Sequence, residues 1–113
     1  MNQVIPIFAN PGQSVSLVVQ TEGLDGYRMD GYTPVITSVY FPDRSQAQGF
    51  PQDMVRLETG LYVYELVVPT GIMSLGTFIA SVFYIQPGTS RPVWQVFSIN
   101  VARPFGNSSA TPI

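Results

Sequence analysis

The chain has no cysteine, no histidine and no lysine among its 113 residues. Without cysteine there are no disulfides and no thiolate metal sites. Without histidine or lysine, the Ser–His, Cys–His and Ser–Lys pairings of nucleophile and base are excluded. A phosphate-cradling P-loop is excluded as well, because it needs its lysine. The only cations are Arg28, Arg44, Arg56, Arg91 and Arg103. Charged residues make up 11% of the chain, against about a quarter in an average soluble domain. A net charge of −2 leaves no basic face for nucleic acid. No apolar run reaches the roughly 18 residues of a membrane span. The longest candidate, Ile72 to Ile85, is interrupted by Ser74, Gly76, Thr77 and Ser81.

Such a shortage of charge has two explanations. A free monomer keeps its surface wet with interspersed acids and bases. This chain either hides much of its surface behind neighbours or relies on Ser, Thr, Gln and Asn as a polar coat. The opening Met1-Asn2-Gln3-Val4-Ile5-Pro6 has neither a basic stretch nor a long apolar one. It does not read as a signal peptide, so the expectation is a chain made and used in the cytoplasm, or one that leaves the cell by a route such as lysis.

What is present is β-sheet vocabulary. The length fits one domain. Ten Pro and ten Gly punctuate short runs rich in Val, Ile, Tyr, Phe and Thr. Turn signals at that spacing point to an all-β sandwich or barrel. No stretch keeps apolar residues at helical spacing. Seven strands are predicted: Val4 to Ala9, Ser14 to Gln20, Pro34 to Phe41, Met54 to Glu58, Leu61 to Val68, Thr77 to Ile85 and Val93 to Ala102. Pro6 suits an edge strand, since it lacks an amide hydrogen. In Ser14 to Gln20, Val15, Leu17 and Val19 alternate with polar residues, the mark of a half-buried strand. Gly60-Leu61-Tyr62 and Gly76-Thr77-Phe78 share a Gly-x-aromatic strand entry that drops an aromatic side chain into the core. Residues 105–113 read as a tail with little to fold around, which leaves a domain of residues 1–104.

The segments Arg56 to Pro69 (R-x-x-x-G-L-Y-x-Y-x-x-x-x-P) and Gly76 to Tyr84 (G-T-F-I-A-S-V-x-Y) resemble central and penultimate strands of immunoglobulin-like domains of the bacterial and macroglobulin type. The resemblance spans about the last half of the chain and implies a single Ig-like β-sandwich of about seven antiparallel strands. The Cys…Trp…Cys framework of antibody domains is missing. A looser resemblance is to small structural proteins of tailed bacteriophages, such as capsid decoration and tail accessory proteins. It implies a virion component in many copies, partnered by other virion proteins and by itself, with no catalysis and no cofactor.

The chemistry-bearing residues are few. Of the seven acids, Glu22, Asp25, Asp30, Asp43, Asp53 and Glu58 fall in loops or at turns. Glu65 lies mid-strand, pointing to solvent or an interface. No pair suggests the two carboxylates of a glycosidase. Glu22, Asp25 and Asp30 share a Gly-rich loop, but their spacing does not match an EF-hand, and Asp25-Gly26 and Asp30-Gly31 read as turn formers. No metal site is therefore expected. The strand Thr77 to Ile85 is apolar on both faces. With Phe78, Ala80, Val82 and Tyr84 inward, Ile79, Phe83 and Ile85 face out. In the last strand Trp94 and Val96 also face out. These five residues form the candidate interface, unless the loop Arg44 to Pro51 folds over it. The alternative function is recognition of a glycan or receptor by Asp25, Tyr27, Arg28, Asp30 and Tyr32.

Overall fold

A computed structural model describes residues 3–70 and 75–102. Its described residues are all-β, with eight strands and no helix. They are β1 (Gln3–Ala9), β2 (Ser14–Gln20), β3 (Val35–Tyr40), β4 (Gln52–Asp53), β5 (Val55–Glu58), β6 (Leu61–Val67), β7 (Gly76–Ile85) and β8 (Pro92–Val101). The seven expected strands are all present, each within a residue of its expected ends, and β4 is added. The expected tail, residues 105–113, lies outside the described residues.

The strands form two sheets. One runs β1-β8-β7-β3-β4 and the other β2-β6-β5. Together they form a β-sandwich whose core draws on both: Leu17, Val19 and Tyr62 from the smaller sheet, and Ile36, Val39, Phe78, Ala80, Val82, Phe97 and Ile99 from the larger. The alternation in β2 holds, with Val15, Leu17 and Val19 buried and the residues between them exposed. Phe78, Ala80 and Val82 are buried in β7 as well.

Two features depart from the expected pattern. The strands are not all antiparallel: β1 runs parallel to β8, with Val4 beside Val96 and Phe8 beside Asn100. β1 forms the sheet edge, where the missing amide of Pro6 is tolerated. In β3 the simple alternation fails, because Ile36 and Val39 are both buried. A bulge between Ile36 and Ser38 inserts Thr37 and flips the phase. The Thr37 hydroxyl donates to the carbonyl of Ser81 across the ladder, at 3.2 Å.

Both Gly-x-aromatic entries work as expected. Tyr62 and Phe78 are buried, and each preceding glycine has a positive φ, 69° at Gly60 and 121° at Gly76. Gly60 has no room for a side chain. A Cβ there would lie 2.7 Å from the Thr21 carbonyl oxygen and 2.8 Å from the Met29 nitrogen.

Phe97 is among the largest fully buried side chains. Phe97→Ala is expected to destabilise the fold by about 3–5 kcal/mol in urea denaturation. Phe8→Ala removes an exposed ring, and in the free chain is expected to change stability by less than about 0.5 kcal/mol. Equal effects would contradict this assignment of faces.

Candidate functional site

The larger sheet turns one face to the core and the other outward. Period-2 geometry puts directly paired residues on the same face. Five rows therefore cross the outer side, the shortest being Ile85 with Pro92. Trp94, Phe83 and Val35 lie side by side, ending at Asp53 on β4. Val4, Val96, Ser81 and Ser38 make the second row. Pro6, Ser98, Ile79 and Tyr40 make the third, and Phe8, Asn100 and Thr77 the fourth. The Phe83 and Trp94 rings are in contact, with centroids 4.8 Å apart.

No Asp, Glu, Lys or Arg occurs in β1, β3, β7 or β8. Asp53, at the margin, brings the one charge that β pairing adds to these rows. The side chains of Phe8 (77%), Val4 (61%), Trp94 (41%) and Tyr40 (38%) are nevertheless open to solvent, while Ile79, Phe83, Ile85 and Val96 are half-buried. Large apolar side chains thus stand open among Ser38, Ser81, Ser98, Thr77 and Asn100 on an uncharged surface. The loop Arg44 to Pro51 does not fold over it. Its Ala47 amide donates to the Val39 carbonyl at the β3 edge. Phe50 meets Tyr64 of the other sheet, ring centroids 5.9 Å apart. The loop thus closes one side of the sandwich; at its start Arg44 reaches the rim of the outer face, where it lines a hollow with Tyr40, Thr77 and Ile79.

The outer face of the smaller sheet is different. Val18, Val55 and Val67 are exposed there, but Glu65 stands among them, accepting hydrogen bonds from Ser14 at 2.9 Å and from Ser16. These hydroxyls, Ser16 first, hold its carboxyl below the ordinary 4.5. Glu65 faces solvent, as its place in the alternation suggests.

The five candidate loop residues divide. Glu22 and Arg28 form a small β-bridge around a turn, and the Asp25 carboxylate accepts from the Tyr27 amide at 3.1 Å. Arg28 pairs with Glu58 at 3.2 Å, both largely exposed. Asp30 is tied into the frame. It accepts from the Gly60 amide at 2.8 Å, from Arg56 at 3.0 Å and from the Tyr62 hydroxyl at 3.3 Å. Asp25, Arg28 and Asp30 therefore have structural partners. Tyr27 and Tyr32 do project into solvent.

Sequence reasoning missed two things. Val4, Phe8 and Tyr40 join the outer face through long-range pairing. Gln20, Glu22, Gln86 and Arg91 line a cleft of about 290 Å³ beside Trp94. The lack of charge in four strands was a signal available for the first; no local pattern announces the second. Compared with protein-family models, curated proteins and solved structures, the chain matches none.

Asp30 gives the loop end a pH dependence. The Gly60 amide, then Arg56 and Tyr62, hold its carboxyl below the ordinary 3.8, against a smaller opposing effect of burial. Because the folded value is depressed, the stabilisation is present above 3.8 and is lost as pH falls through the folded value. Asp30→Asn is expected to melt below the parent at pH 7, with the gap narrowing as pH falls through the folded value and the Asp30 carboxyl takes up its proton. Melting curves across pH check this; a pH-independent gap would contradict it.

Proposed function

We propose that the chain is a non-enzymatic structural component of a bacteriophage virion, a capsid decoration (cement) or tail-associated protein. It packs the outer face of its larger sheet against other virion proteins and copies of itself. The observation that carries this reading is the uncharged face: four long strands without an ionic group, with Phe8, Val4, Trp94 and Tyr40 open to solvent. Burying such a surface stabilises association by roughly 25 cal/mol per Å² of apolar area, before the losses of rigid-body freedom. Its near-absence of charge also lets a second copy face it without like-charge repulsion or the removal of ions from water.

The strand order supports an Ig-like sandwich. An edge strand, β1, runs parallel to the last strand, β8. The order β8-β7-β3-β4 stands against β2-β6-β5, as in sandwiches of that type. The fold alone names no role. The virion assignment rests on the likeness to small, lysine-free, cysteine-free phage β-domains together with the open face.

Trp94 lies between Phe83 and the sheet's rim, and is the natural anchor. In particles assembled with the full chain, Trp94→Asp is expected to lower incorporation about tenfold or more, read by quantitative mass spectrometry of purified particles. The site is exposed enough for the variant to fold, and circular dichroism checks that. Incorporation of the folded variant at the parent level would contradict the proposal.

A further inference from the structure

The loop end of the sandwich carries a polar cleft that meets the proposed contact face at Trp94. It measures about 290 Å³ and opens between the end of β2 and the β7–β8 turn. Glu22 is held in its wall by Gln20, whose amide donates to the carboxylate at 2.7 Å. Gln86 reaches across from the turn and donates to the Glu22 carbonyl at 3.4 Å. Tyr84, Arg91, Pro92, Val93 and Trp94 complete the lining. Burial, then the Glu22 charge, raises the Tyr84 phenol above its ordinary 10.0, so it is a hydroxyl donor at neutral pH.

A second cleft of about 230 Å³ adjoins the first. Gln86 lines both, and Tyr32, which projects into solvent, lines the second. The two hollows therefore have aromatic residues, Trp94 and Tyr32, with a carboxamide between. The Gln86 Oε1 atom is buried and has no hydrogen-bond partner among the described residues. An orphaned buried acceptor is unfavourable, and a ligand hydroxyl relieves it only when the Gln86 side chain turns its oxygen out into one of the clefts that it lines.

We propose that these joined clefts bind a neutral oligosaccharide, with Trp94 and Tyr32 as stacking platforms and Gln20, Glu22 and Gln86 as hydroxyl partners. The chemistry selects this class. Sugar rings offer apolar C–H faces to aromatic rings and paired hydroxyls to carboxylates and carboxamides. A phosphate ligand would meet the Glu22 charge, with only Arg91 to balance it. An apolar peptide would meet Gln20, Glu22, Gln86 and Arg91 in the first cleft. Glu22 is the one acid in the lining, so the clefts lack the second carboxylate of a glycosidase. They bind and do not cleave. The clefts share Trp94 with the proposed contact face, so binding is measured on the free chain and scored on Glu22 and Gln86, which that face does not use.

Trp94 is the only tryptophan, so its emission reports on the cleft directly. The test titrates the full chain with neutral oligosaccharides built of glucose, galactose, mannose and N-acetylglucosamine units. At least one is expected to change the emission saturably, with a midpoint below about 10 mM. Glu22→Gln and Gln86→Ala are each expected to weaken that sugar about tenfold, and Tyr27→Ala, outside both clefts, to leave it unchanged. The inference is overturned if no sugar in the panel shifts the emission. It is equally overturned if folded Glu22→Gln and Gln86→Ala variants bind as the parent does.

Discussion

The ten-residue antiparallel ladder between β7 and β8 is the constraint on which the molecule turns. It settles two surfaces at once, because neighbours along a strand point to opposite faces. One set of partners, Phe78 with Ile99 and Ala80 with Phe97, enters the core. The other set, Phe83 with Trp94 and Ser81 with Val96, must then face out. The outward set mixes large apolar groups with Ser81, Ser98 and Asn100 and carries no charge. The smaller sheet covers one side. Nothing among the described residues covers the other.

The rest of the chain supports that ladder. β1 lengthens the outer surface on one flank, and β3 on the other. The bulge at Thr37 keeps Ile36 and Val39 in the core while Tyr40 lies beside Ile79 on the outside. The ionic groups of the described chain are confined to loops, the two-residue β4 and the smaller sheet. There they pair or cap: Arg56 with Asp30, Arg28 with Glu58, Asp43 with Ser45. The scarcity of charge is thus spatially organised. The uncharged face and the polar loop end meet at Trp94.

Much of the fold was readable residue by residue. The alternation in β2, the glycines before Tyr62 and Phe78, and the proline stops each act locally, and local rules located the strands. The outward set Ile79, Phe83, Ile85, Trp94 and Val96 followed from the same periodicity. What could not be read depends on contacts distant in sequence. The bulge at Thr37 is visible only against β7. The parallel seat of β1 on β8, which brings Val4 and Phe8 to the outer face, joins opposite ends of the described chain. Asp30 looks like an ordinary turn residue, yet it is bound to Arg56, Gly60 and Tyr62, some thirty residues away. The cleft, built from the end of β2 and from the β7–β8 turn, leaves no pattern in either segment alone.

The central claim is that the outer face of the larger sheet is a contact surface and not a solvated one. Sedimentation velocity of the unmodified chain over a wide concentration series tests it most directly. The account predicts an average mass that climbs above that of one chain as concentration rises, because copies cover one another's exposed Phe8, Val4 and Trp94. A folded chain that stays at single-chain mass to the highest concentrations reached would contradict it.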